Sequence, residues 1–280
     1  MFDTFAEKPT YKVTAPLFEK NGEFNISLPY DTKYYDIMLV SDFHITEFDE
    51  KTLTVMDRLN EYCVKNGIRL ILNLGDFFEG FGVKNLNYES AIKNYRLIED
   101  GIKLMPKADN LYHAILRGNH DRNITNYGFD PIKLLASERE DLIDLGYRYS
   151  CVSISNPETN LGEFGIHHPD TFDFPIDLDE DGVEADKIEE YLKKVYTKNS
   201  RSINNSYIDI FGHTHKSQFN YTSGYCFIPP YLKSNARKGA VHLRIYFDTD
   251  NKIKSMVFMT LDYSNLSKNN EIVWQKQIKK

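Results

Sequence analysis

Cysteine is scarce and scattered in this sequence: Cys63, Cys151 and Cys226 are the only three, and no C-x-x-C pair exists. That excludes a disulfide framework and a thiolate zinc knuckle, and leaves three small buried hydrophobes as the simplest reading. Basic excess is missing too. Lys and Arg number 34 against 41 Asp and Glu, a formal net charge of −7, so the chain offers no general attraction to nucleic-acid backbones or anionic lipid. Long apolar runs are also absent; none approaches the ~20 residues that cross a bilayer. The N-terminal MFDTFAEKPTYK lacks the basic-then-apolar order of a secretory leader. These absences predict a cytoplasmic protein without a membrane span. There is no internal repeat and no low-complexity tract.

What is present suffices for one large α/β domain: 280 residues, 41% apolar and 14% aromatic. Residues 1–35 are punctuated by Pro, Gly and Asn and read as an N-terminal extension, at most a hairpin packed on the main domain. The main domain is expected over 36–262 and a C-terminal tail over 263–280. Asp36-Ile-Met-Leu-Val-Ser41 is a short continuous apolar run, the pattern of a strand buried on both faces. Leu53, Met56, Leu59 and Cys63 recur at helical spacing through 51–65, and 68–74 reads as a second strand. A helical segment over 88–104 and a strand over 111–116 follow. Alternating strands and helices at these spacings imply right-handed crossovers and a mostly parallel sheet. The second half is richer in strands, with candidates at 151–155, 163–167, 207–211, 225–228, 241–247 and 253–261. An acidic stretch, FPIDLDEDGVEAD, precedes a helical KIEEYLKKVYTK. It lacks the ordered spacing and terminal Glu of an EF-hand loop and is read as a solvated loop leading into the helix.

The strands end in clusters that can carry chemistry. These are Ser41-Asp42-Phe43-His44, Gly75-Asp76-Phe77-Phe78-Glu79, Arg117-Gly118-Asn119-His120-Asp121, His167-His168-Pro169 and Gly212-His213-Thr214-His215. Ligands of open parallel sheets bind beyond the carboxyl ends of the strands, so such clusters converge on one place. Six of the eight histidines fall in them; His113 and His242 do not. Imidazole with carboxylate and no thiolate suits Mn²⁺, Fe, Zn²⁺ or Ni²⁺. Asp42, His44, Asp76, Asn119, His167 or His168, His213 and His215 are too many donors for one ion. They suit two ions that share a bridging carboxylate.

In this order the motifs D-x-H, G-D-x-x-[D/E], G-N-H-[D/E], a later His and G-H-x-H resemble the calcineurin-like metallophosphoesterase superfamily, over residues 36 to about 215. The resemblance implies an α/β, four-layer fold: a two-sheet β-sandwich flanked by helices, with the site at the strand ends. It implies two divalent metal ions per chain, Mn²⁺ foremost. Asp42, His44 and His215 match the ligands of the first ion, Asp76 the bridge, and Asn119, His213 and His167 the ligands of the second. His167 is preferred to His168 because the first His of an H-H-P segment is the usual ligand. His120 matches the non-ligand histidine that protonates the leaving oxygen. Glu79 matches the acid that orients it; Asp121 is the competing partner, or else a turn or helix-cap residue. Asn119 and Arg122 are expected to contact the substrate.

The reaction so implied is hydrolysis of a phosphomonoester or phosphodiester by a metal-bridging hydroxide, with His120 as proton donor. Gly80 follows Glu79 where the protein Ser/Thr phosphatases of the superfamily carry the Arg of G-D-x-x-D-R-G. Expectation therefore turns from phosphoproteins to a small phosphoester substrate. Phe77, Phe78 and Phe81 could stack on a base or belong to the core. The alternatives are a metal-dependent DNA nuclease of the same superfamily, opposed by the acidic charge, and a non-catalytic scaffold that retains the fold. A purely structural metal protein leaves His120 unexplained.

Overall fold

Along Tyr34–Val40 (β2) every residue after the first is buried, and the side chains divide between two apolar layers, as an extended chain requires. Tyr35, Ile37 and Leu39 pack with Leu72, Val152, Phe164 and Ile210. Met38 and Val40 pack on the other side with Val55, Met56 and Leu59, all on one face of the helix Glu50–Asn66 (α1). A strand covered on both faces lies inside a layered fold. The computed structural model describes residues 23–82, 85–171, 173, 184–199, 206–215, 218–220, 224–231, 239–250, 252–262 and 270–277. Among these, two mixed β-sheets face each other with five helices outside them.

The seven-stranded sheet runs β13 (Asn270–Gln277), β12 (Ile253–Asp262), β11 (Gly239–Phe247), β2, β3 (Leu70–Asn73), β4 (Tyr112–Arg117), β5 (Leu142–Tyr147). β2 through β5 are parallel, connected by α1, α2 (Tyr88–Leu104), α3 (Asn119–Ile124) and α4 (Pro131–Glu138). The six-stranded sheet runs β1 (Glu23–Ser27), β6 (Tyr149–Ser155), β7 (Asn160–His167), β8 (Asp209–Phe211), β10 (Tyr225–Phe227), β9 (Gln218–Asn220). Its outer face is covered by α5 (Ala185–Lys198), whose Ile188 and Tyr191 pack on Phe211 and Phe227. The order of layers is helix, sheet, sheet, helix.

The strands of the first half pair in parallel as expected, and three features go beyond the expectations. β11, β12 and β13 extend that sheet antiparallel. The segment read as a C-terminal tail supplies β13, an edge strand on β12. From the N-terminal segment comes β1, which pairs in parallel with β6 and not with a sequence neighbour. Residues 1–22 and the acidic stretch 174–183 lie outside the described residues. No helix among the described residues is long and apolar enough to cross a membrane. All three cysteines are buried and none forms a disulfide.

Candidate metal centre

Because β2, β3 and β4 are parallel, their carboxyl ends lie at one edge of the seven-stranded sheet. β7 and β8, also parallel, end in the other sheet. Hydrogen bonds stitch the segments that follow. Asp42 N–H donates to Gly75 O (2.9 Å), His44 N–H to Asp76 O (2.9 Å) and Gly212 N–H to His167 O (3.0 Å). The N–H of His213 donates to Oδ2 of Asp42 at 3.1 Å, joining the two sheets. The chain turns so sharply here that Asp42 (φ 54°), His44 (48°), Asp76 (53°), His213 (79°) and His215 (54°) all stand in the left-handed region. Each such residue costs on the order of 1–2 kcal/mol, so together they mark a place where side-chain direction outweighs local stability. Phe43, between Asp42 and His44, turns to the core and packs on Phe77 and Tyr231.

Two groups of donor atoms result. In the first, Nε2 of His215 is 3.2 Å from Oδ1 of Asp42 and 3.2 Å from Nε2 of His44. In the second, Asp76, His168 and His213 each bring one donor atom within 4.8 Å of the others, and Nε2 of His168 is 3.1 Å from Oδ2 of Asp76. That same Oδ2 is 3.7 Å from Nε2 of His44, so one carboxylate oxygen stands between the two groups. The other oxygen, Oδ1, accepts the N–H of His120 (2.8 Å). Two glycines make room: a Cβ on Gly118 would fall 2.1 Å from Oδ1 of Asp76, and one on Gly75 (φ 108°) would fall 2.3 Å from Nδ1 of His168.

Asp42 Oδ1, Asn119 Oδ1 and His168 Nε2 are buried and complete no hydrogen bond among the described residues. Atoms left so cost about 1–3 kcal/mol each unless something answers them. Divalent cations would: this nitrogen and oxygen donor set, without thiolate, fits Mn²⁺, Fe, Zn²⁺ or Ni²⁺. The rings are oriented from behind. His168 Nδ1–H donates to Leu74 O (2.6 Å) and His44 Nδ1–H to Oε2 of Glu79 (2.6 Å), which leaves each Nε2 for the site. The electrostatics are as crowded as the geometry. Burial alone would raise the Asp76 carboxyl, yet His168, His120 and His44 hold it well below the usual carboxylate range. Burial likewise opposes charge on His44 and His168, but the carboxylates around them raise both to about 9.

The structure does not bring His167 into the cluster; His168, the alternative of the pair, is the one that faces the other donors. Nε2 of His167 meets Oδ1 of Asp209 (2.8 Å), an oxygen that also accepts the Tyr196 hydroxyl (2.5 Å). Its ring stacks on Phe211 at 4.6 Å. The reason is the period of two in a strand. Phe164 and Ile166 point into the layer between the sheets; His168 follows them, and His167 points the other way, to Tyr191 and Tyr196 of α5. That apolar pair is the signal in the sequence that separates the two histidines. No comparable signal marks Asp209 or Tyr196.

Glu79 stands between two histidines, 3.5 Å from Nδ1 of His120 and 2.6 Å from Nδ1 of His44. Its Oε2 lies nearer His44 than His120, and the Nδ1–H of His120 donates to the Glu79 backbone carbonyl (2.9 Å). Asp121 accepts the N–H groups of Phe77 (3.1 Å), Phe78 (2.8 Å) and Gly118 (3.0 Å), the turn-holding half of its two readings. Phe77 and Phe78 are fully buried core residues, closed to stacking on a base, whereas Phe81 is half-buried. Arg122 lies on α3 beside Tyr147. His242, between the Tyr62 hydroxyl and Asp36, and His113, buried in β4, stand outside the cluster as expected.

The sequence profile described as calcineurin-like phosphoesterase matches residues 35–235. No curated protein matches the chain. Among solved structures, GAP50, the anchor in the inner membrane complex of Plasmodium, is similar at 10% identity, with 89% of this chain and 90% of that one covered and a TM-score of 0.51. A dimetal phosphatase from Danio rerio is 9% identical, with 83% and 97% covered and a TM-score of 0.46. Yfce, a phosphoesterase from E. coli, is 15% identical, with 87% and 100% covered and a TM-score of 0.39. The first of these likenesses speaks to the fold alone. Matched over residues 35–235, a span that holds every donor of both groups, the chain belongs to the calcineurin-like phosphoesterase family.

Proposed function

We propose that the chain hydrolyses a small phosphate monoester or diester at a two-cation centre. Asp42, His44 and His215 would hold one cation and Asn119, His168 and His213 the other, with Asp76 in reach of both donor groups. The observation that supports this most is the place of Asp76 Oδ2, 3.1 Å from His168 Nε2 and 3.7 Å from His44 Nε2, a carboxylate common to two otherwise separate donor sets. Bound there, two divalent cations, Mn²⁺ first among the candidates, would neutralise a phosphoryl group and make water nucleophilic near neutral pH.

The chain's own part is orientation and proton transfer. His120 lies beside the first donor group, its ring edge-on to His44 at 4.6 Å. Its Nδ1–H is committed to Glu79 O. Nε2 is then the position from which a proton passes to the leaving oxygen as the P–O bond breaks, while the oxygen of water takes its place on phosphorus. Asn119, whose buried Oδ1 would answer a cation, would leave its NH₂ for the same phosphoryl group.

p-Nitrophenyl phosphate and bis-p-nitrophenyl phosphate, each offered with several divalent metals, separate monoesterase from diesterase. His120→Ala should lower kcat by about 10²–10⁴-fold on an alkyl ester, whose leaving oxygen needs the proton, and far less on the p-nitrophenyl ester. Equal losses on both, or none, would rule out His120 as the donor. Wild-type chain that binds two cations and turns over no ester would support the scaffold reading instead.

A further inference from the structure

A hollow of about 480 Å³ opens at the carboxyl ends of β4 and β5, with Arg117, Arg122, Phe129, Asp130 and Tyr147 in its lining. It adjoins the proposed centre through α3. Asn119 and Arg122 are three residues apart on that helix, which sets them on one face with Cβ atoms about 5–6 Å apart. From the other side comes Asp170, two residues past His168.

The charges around the hollow are nearly all spoken for. Arg117 pairs with Asp130 and, at 3.2 Å, with Asp144. Asp170 is satisfied twice, by Arg148 (3.1 Å) and by the Tyr147 hydroxyl (2.7 Å). Arg148 also pairs with Asp173, and Arg122, with a side chain 59% exposed, reaches only the shared Asp170, at 3.8 Å. It is held in place all the same: its guanidinium lies 5.0 Å over the Tyr147 ring, and Nη1 donates to the Tyr147 hydroxyl at 3.1 Å. Among the described residues no acceptor engages its Nε or Nη2. A stacked guanidinium with donors to spare recognises carboxylate or phosphate.

We infer that this hollow is the leaving-group subsite and Arg122 its anchor, so that the substrate carries a second anionic group besides the ester that is cleaved. The inference rests on the phosphoesterase reading above. Phe129 and Tyr147 would contact the apolar part of the same leaving group.

Three esters of one ring test it: phenyl phosphate, 4-carboxyphenyl phosphate and hydroquinone bisphosphate, each offered as the free ester and as its methyl diester. Wild type should favour the charged rings by about tenfold or more in kcat/KM, chiefly through KM. Arg122→Ala should bring that ratio near one, and Arg122→Lys should keep part of it, since an ammonium supplies charge without the planar fork. The ratio between the two charged rings tells which anion is preferred. A wild-type ratio near one, or a ratio that Arg122→Ala leaves unchanged, overturns the subsite alone. Hydrolysis of none of these esters by wild type overturns the phosphoesterase reading, and the subsite with it.

Discussion

Glu79 reaches past His120 to His44: its Oε2 lies 2.6 Å from Nδ1 of His44 and 3.5 Å from Nδ1 of His120. A carboxylate behind a metal-binding imidazole fixes its tautomer and raises its basicity. His120, by contrast, is held by the backbone carbonyl of Glu79, which any side chain at that position keeps. Glu79→Ala should therefore weaken cation binding at the first donor group by about 10–100-fold and keep most of kcat at saturating metal. Calorimetric metal titration beside kinetics checks this. An unchanged metal affinity with a kcat as low as that of His120→Ala would show that Glu79 serves the proton donor instead.

Adjacent histidines at the end of β7 should fail in different ways. His168→Ala should lose the cation of the second donor group while folding normally. His167→Ala should keep both cations but lose about 2–4 kcal/mol of stability, because a buried ring is removed from Phe211 and Asp209 is left without that partner. Metal content and urea unfolding, measured on both variants, decide. Loss of an ion equivalent in His167→Ala and not in His168→Ala would reverse the assignment.

His113, buried in β4, gives the fold a pH dependence of its own. Burial pushes its pKa down from 6.5 to about 4, with Arg139 adding to the shift and Asp141 opposing it. Between those values the unfolded chain binds a proton that the folded chain does not, so stability rises with pH across that window. The contribution is complete above 6.5 and lost as pH falls to about 4. Its full size is on the order of 3 kcal/mol. In chelator-treated protein, His113→Leu should lose about 2 kcal/mol less than wild type between pH 7 and pH 5. Parallel pH profiles for the two proteins would contradict this.

The strand-end clusters are legible in the sequence because each is short, local and placed after an apolar run, as with Asp42 and His44 after β2. What is not legible depends on register or on distant partners. His167 and His168 are one residue apart, and only the pleat decides between them. Glu79 meets His44 across 35 residues of chain, a pairing that no local pattern records. The left-handed backbone at Asp42, His44, Asp76, His213 and His215 is hidden because glycine usually marks such turns and none of these is glycine. β5 escapes notice because Asp144 and Gly146 interrupt its apolar run. β13 escapes because an edge strand needs few apolar residues, and NEIVWQKQ has few.

Titration of a divalent cation into metal-stripped chain, with binding heat and ester hydrolysis followed together, tests the two-cation centre most directly. Two equivalents should bind per chain, hydrolysis should appear only as the second is taken up, and Asp76→Asn should bind fewer than two. Saturation at a single equivalent, or hydrolysis undiminished in the stripped chain, would contradict it.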